Sequence, residues 1–382
     1  MGGLREEVTI NKKAPRQSGI ELLRIIAVTL ITAHHLVVHS GYPLFNEPIS
    51  VRRLFFQMCL SSFGKIGITL FLLISLWFLV DREQTVKKSC RRIWLLEREL
   101  LFWSFVGLAM QYVDNPKSVD ADVWLDAIFP ITRNEWWYAT SYVILLLLLP
   151  FLLVGLRKMG RQIHKKFCIV LNLVPGASLD IYINVIGFVY VTILFTYYKW
   201  YMAPISNKCA ILLMVVGGLI IFGWNLLLSV VWRIWNMNPD RILNYINPVQ
   251  KEWALPILAI SFGVFVLFTR LHFSSRIVNR CAQSAFAVYL ITEQHYFRDE
   301  ILWRYITLGG IYRSRYAIGI ALVVVIGIVA AAIMLDFVRQ FLFWRTVDRH
   351  KGRLFEWVWD RAWRIVGEFK TNYVAYKSVN KE

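Results

Sequence analysis

Charge is scarce in this chain. Asp, Glu, Lys and Arg make up 18% of its 382 residues, against 57% hydrophobic and 15% aromatic side chains, and the mean hydropathy is +0.50. An ordinary soluble domain carries about a quarter charged residues, so a soluble globule is disfavoured and a polytopic membrane protein is implied. Cysteine is also sparse. The five cysteines, Cys59, Cys90, Cys168, Cys209 and Cys281, are scattered and show no paired spacing, which indicates neither a disulfide framework nor a zinc site and makes most of them small core residues. No metal is expected. Long low-complexity linkers and internal repeats are missing, and no connection between apolar runs is long enough for a second globular domain. The opening MGGLREEVTINKKAPRQSG contains no short apolar core before a small-residue cleavage site, so no removable signal peptide is expected and the first span should act as the insertion signal.

Acidic residues are few even among the charges, 25 against 43 Lys plus Arg, for a net charge of +18. On a soluble protein that excess would raise nucleic acid as a partner; on this chain the position of the cations decides otherwise. Apolar runs fall at Gly19 to His39 and at about 65–80, 93–113, 136–156, 181–198, 208–232, 253–269, 277–294 and 315–338. A tenth, Phe167 to Pro175, is short. Counting it as a crossing places more than twice as many Lys and Arg on one side as on the other, with both termini on the basic side. The positive-inside rule makes that side cytoplasmic. The expectation is an all-α, polytopic membrane helix bundle of about ten transmembrane helices with N and C termini cytoplasmic. Residues 1–19 would form a cytoplasmic tail, 20–345 the transmembrane domain, and 346–382 a basic amphipathic tail with Leu354, Val358, Trp359 and Ala362 at helical spacing, drawn to anionic lipid.

The first run is the one in which polar groups are hardest to explain. GIELLRIIAVTLITAHHLVVH carries Arg24, His34 and His35, and an ionisable group at membrane depth costs at least ~2.5 kcal/mol, so those retained usually line a cavity or pathway. Eleven positions at about 100° each bring His35 back to the stripe of Arg24, roughly 16 Å further along the axis. Two readings follow: a slot that grips an anion at its mouth and moves protons at its floor, or an arginine snorkelling to head groups above histidines hydrogen-bonded within the bundle.

The spacing of Arg24, ten intervening residues and His35 is similar to the first helix of the integral-membrane acyltransferase 3 family. Further stretches come in that family's order: GITLFLLIS (Gly67 to Ser75), NEWWYATSYVILLLLLPFL (Asn134 to Leu152), YINPV (Tyr245 to Val249) and SAFAVYLITE (Ser284 to Glu293). The resemblance covers about residues 18–345 and implies a membrane O-acyltransferase that moves an acyl group, usually acetyl from acetyl-CoA, to a hydroxyl of an envelope or exported glycan. The partners implied are a glycan or glycolipid acceptor and membrane lipids, in the plasma membrane and without nucleic acid.

Acetyl transfer needs a base at the acceptor oxygen, support for the oxyanion and an anchor for the phosphorylated donor. His35 suits the base, and Glu293 could orient an imidazole or share its proton. Arg24 suits the donor through its permanently charged fork. Ser75 is a helix-packing hydroxyl or a donor contact. Arg91 and Arg92 stand where relatives carry an arginine cluster thought to hold CoA phosphates; plain positive-inside charge is the alternative. Trp136, Trp137 and Tyr289 are the candidate substrate-binding side chains, the two tryptophans as an aromatic rim beside the acidic loop Asp114 to Glu135. The chain departs from the family at Leu76, Leu95 and Thr292; the last stands where relatives commonly have histidine and cannot be a base, although His295 follows one turn later. Two other readings stay open: a transporter or flippase of a glycan or lipid precursor, and a degenerate non-catalytic member.

Overall fold

The structure is a computed structural model that describes residues 17–173, 184–235, 251–350 and 352–365. Among the described residues every regular element is helical. The main helices are α1 (Ser18–Val38), α2 (Val51–Leu79), α3 (Val86–Asp114), α4 (Trp137–Leu173), α5 (Asn184–Tyr201), α6 (Asn207–Trp235), α7 (Leu255–Thr269), α8 (Ala285–Glu293) and α9 (Ala317–Arg345).

Five of these, α1, α2, α4, α6 and α9, are long and apolar enough to cross a membrane on their own. The other expected spans are shorter or carry charge. α3 has the length, at 29 residues, but its N-terminal half reads VKKSCRRIWLLERE. α7 is apolar but has 15 residues. The run around 277–294 is divided into Arg276–Cys281, a 3-10 turn at Ala282–Ser284 and α8. In α4 the helical path breaks at Gly160 (φ 69°, ψ 173°), a conformation that glycine adopts without a Cβ penalty. The segment after the break holds the start of the short tenth run. It lies against α5, where the His164 ring nitrogen Nε2 is 3.0 Å from the Ile193 carbonyl oxygen and the Tyr190 hydroxyl donates to Asn172 Oδ1 at 2.8 Å. The YINPV stretch and the first sixteen residues lie outside the described residues.

α1 is the hub of the bundle: it packs against α2, α7, α8 and α9. Its Ile20, Leu23 and Ala27 are fully enclosed. The approach to α2 is close because Gly67 has no side chain there; a Cβ would stand 2.5 Å from the Ala27 carbonyl oxygen and 2.7 Å from Ile31 Cγ1. Without a hydrophobic difference between lipid and side chain, such backbone proximity is what joins helices in a membrane.

Several charges inside the bundle are paired. Arg339 on α9 lies 3.1 Å from Glu99 on α3 and donates to Asp336, whose other oxygen accepts from Gln340 at 2.7 Å. Arg98 finds Asp348 at 3.2 Å. Beyond α9, residues 353–365 form one further helix on which Glu356 meets Lys87 at 2.7 Å and Phe355 is buried.

Candidate active site

α1 and α8 run side by side, and their polar residues meet at one level. The His35 ring nitrogen Nδ1 is 2.9 Å from Glu293 Oε1, although off the line of a straight hydrogen bond. His39, one turn beyond His35, donates from Nε2 to the same carboxylate oxygen at 3.2 Å. The helix places them so because residues four apart share a face. Trp303 stacks on the His39 ring with centroids 6.0 Å apart and planes 24° from parallel. His34, about 100° around the helix from His35, turns away and donates from Nδ1 to the Cys59 carbonyl at 3.2 Å. The side chains of His35, His39 and Glu293 are only 11%, 24% and 15% exposed. Their pairing repays the desolvation that such burial costs.

Toward the start of α1 the bundle encloses a cavity of about 410 Å³, lined among others by Arg24, Phe71, Ser75, Arg92, Tyr138 and Tyr142. Arg24 also bonds Glu21 Oε2 at 2.9 Å, which leaves part of its fork facing the cavity. Arg92 lines it as well, donating one N–H to Gln84 Oε1 at 2.5 Å. At the inner end Tyr138 abuts Tyr289, centroids 6.0 Å apart, and Tyr289 precedes Glu293 by one turn of α8. The cavity therefore ends one aromatic layer from the His35–Glu293 pair.

On the far side lies a second cavity of about 220 Å³, whose lining includes Ser104, Gln111, Asp126, Glu135, Gln294 and His295. His295 Nε2 is 3.3 Å from Glu135, while its Nδ1 accepts from Arg298 at 2.9 Å. That fixes the tautomer with the proton on Nε2. Burial pushes the Glu135 carboxyl above its usual range, with His295 pulling the other way.

Of the residues singled out in the sequence, the structure joins His35 to Glu293 and gathers Arg24, Ser75 and Arg92 around one cavity. Arg91 is not part of that cavity; half exposed, it faces Glu356 at 3.8 Å. Trp136 lies beneath the rim instead of on it: 1% exposed, it donates its indole N–H to the Leu290 carbonyl at 3.1 Å and so secures α8. Trp137 packs on Tyr138 and Phe188. Thr292 is buried with its hydroxyl 3.4 Å from the Tyr289 carbonyl, a packing contact, and His295 is committed to Glu135. The residue that sequence reasoning overlooked is His39. Its signal was present in the i, i+4 spacing from His35, but it sits at the very end of the apolar run, where a polar residue reads as the span's boundary.

Among the described residues the chain is an all-helical bundle with five helices apolar enough to cross a membrane, which defines a class, the polytopic membrane proteins. The comparison with known proteins narrows it. The family model of the acyltransferase 3 acyltransferase domain matches residues 17–336, most of the chain, and the protein belongs to that family. The family makes it a membrane acyltransferase in general terms. No curated protein and no solved structure matches the chain.

Proposed function

We propose that this protein is a plasma-membrane O-acetyltransferase that takes acetyl from acetyl-CoA on the cytoplasmic side and places it on a hydroxyl of an envelope or exported glycan, in a bundle of about ten crossings with cytoplasmic termini. The observation that carries the reading is the position of the His35–Glu293–His39 cluster between two cavities of different character. The Arg24 cavity suits the donor: two guanidinium groups at its mouth fit an anionic chain, and its aromatic floor fits the uncharged acyl-bearing arm. The Glu135–His295 cavity suits a sugar, offering hydrogen-bond acceptors and amides in place of fixed positive charge.

In this reading His35 takes the proton of the acceptor hydroxyl at Nε2 while Glu293, facing Nδ1, stabilises the imidazolium. The freed oxygen attacks the thioester carbonyl, the C–S bond of the tetrahedral intermediate breaks, and the proton on His35 passes to the departing CoA sulfur. Acceptor hydroxyl and thioester become ester and free thiol, with no other reactant. His39 donates to the same carboxylate and holds it in place. The donor never has to cross the membrane: its reactive end has only the Tyr138–Tyr289 layer to displace before it meets the cluster.

The test is release of CoA thiol by the purified protein with acetyl-CoA and extracted envelope glycan, paired with mass analysis of the glycan. A gain of one acetyl mass per thiol released is expected. Glycan uptake into proteoliposomes without acetyl-CoA, and no thiol release with it, would replace this reading by that of a transporter.

A further inference from the structure

Three donor atoms of metal-binding type converge at the core of the site: His35 Nδ1, His39 Nε2 and a Glu293 carboxylate oxygen all lie within 4.8 Å of one another. The scarcity of cysteine points away from any zinc site, but this donor set needs none. Two histidines at i, i+4 on a rigid helix, with a carboxylate from the facing helix, supply two borderline nitrogen ligands and one harder oxygen, a set that zinc accepts, and leave a fourth position open.

Three details of the geometry go beyond mere proximity. The His35 nitrogen is buried and has no aligned hydrogen bond, although a carboxylate oxygen stands 2.9 Å away. The His39 ring, whose Nε2 already faces the shared oxygen at 3.2 Å, is held in its plane by stacking on Trp303. A tetrahedral ion with bonds of about 2.0–2.2 Å separates its ligands by roughly 3.3–3.6 Å, so the spacings of 2.9 and 3.2 Å to Glu293 need to open by a few tenths of an ångström, and the two histidine nitrogens, within 4.8 Å of one another, have to settle at that same separation. His39 is 24% exposed, which leaves the edge of the cluster open to an entering ion.

We infer that His35, His39 and Glu293 form a binding site for one divalent transition-metal cation, with Zn²⁺ as the best-matched ion, and that the bound ion switches the transferase off. The binding rests on the geometry alone. The switch rests on the acetyl-transfer reading: an ion on Nδ1 obliges Nε2 to carry the ring proton, so His35 can no longer accept one from the acceptor hydroxyl. Ion and substrate proton are alternatives at one imidazole. Hard cations such as Mg²⁺ and Ca²⁺, which prefer oxygen ligands, should not compete.

The experiment uses the detergent-purified full chain, stripped with chelator and then titrated with Co²⁺ as a spectroscopic probe and with Zn²⁺ in competition. One equivalent, giving the visible bands of low-symmetry Co²⁺ and displaced by Zn²⁺, is expected. His39→Ala and, as a shape-preserving second variant, Glu293→Gln should each weaken Zn²⁺ binding at least tenfold, whereas His272→Ala, at an exposed histidine elsewhere, should leave it unchanged. Size-exclusion profiles matching the parent keep the two variants interpretable. Absence of stoichiometric binding, or equal affinity in parent and His39→Ala, overturns the site. Thiol release measured in parallel separates the two ideas: binding that leaves thiol release untouched keeps the ion site and removes His35 from the role of base.

Discussion

Replacing Glu293 with Gln tests the centre of the mechanism with the least change of shape. The carboxylate oxygen faces two imidazoles, at 2.9 Å from His35 and 3.2 Å from His39, inside a site from which most water is excluded. Hydrogen bonds to a charged acceptor contribute about 1.5–3 kcal/mol, neutral ones about 0.5–1.5. The amide therefore gives up roughly 1–2 kcal/mol at the His39 hydrogen bond and a loss of about the same size in the charge attraction across 2.9 Å once His35 becomes positively charged, or ~2–4 kcal/mol for the two together. At about 1.4 kcal/mol per tenfold, the rate should fall roughly 30- to 1000-fold. The loss belongs in kcat, because the donor cavity is lined by other residues. The assay is CoA thiol release against acetyl-CoA concentration, on variant protein whose size-exclusion profile and membrane insertion match the parent. A less than threefold change in kcat would refute the reasoning, since it would mean that no positive charge develops on His35 beside that carboxylate.

Three further outcomes follow from the packing. Ser75→Phe, which projects a ring into the 410 Å³ cavity, should raise the KM for acetyl-CoA about tenfold or more by displacing the donor from its pocket; an unchanged KM would place the donor elsewhere. Gly67→Ala puts a Cβ 2.5 Å from the Ala27 carbonyl and should cost about 1–3 kcal/mol through forced separation of α1 and α2, visible as a lowered Tm of the purified protein; an unaltered Tm would disprove the close approach. Arg298 grips Asp299 through two bonds of 2.8 Å each and holds that carboxyl below its usual range. A depressed carboxyl stabilises the fold above its unfolded pKa, about 3.9, and the stability is lost as pH falls through the lower folded value. In Arg298→Ala the two values draw together, so the loss of Tm on acidification between about pH 5 and 3 should shrink, while the Tm at neutral pH falls; identical pH profiles would show that the pair contributes nothing.

The sequence by itself settled the solvent and the helical class of the fold. Apolar runs such as Gly19 to His39 and about 315–338 have to be helical in a bilayer, where every backbone N–H and C=O must be satisfied within its own segment, and the composition alone imposes that solvent. It also marked Arg24 and His35 as costly, and fixed their common stripe through helical periodicity. What it could not do was choose partners. Glu293 is 258 residues from His35, and whether its carboxylate meets that ring, whether Arg91 or Arg92 turns into the cavity, and whether Trp136 is a rim or a strut depend on how helices remote in the chain are rotated against one another. Such rotations are set by close approaches like that at Gly67 and by pairs such as Arg339 with Glu99 and Asp336, where the cost of an unpaired charge in a low-dielectric interior leaves few arrangements open. His39 shows the division most plainly. Periodicity assigns it to the face of His35, yet only the arrival of α8 turns two histidines on one helix into a three-residue cluster.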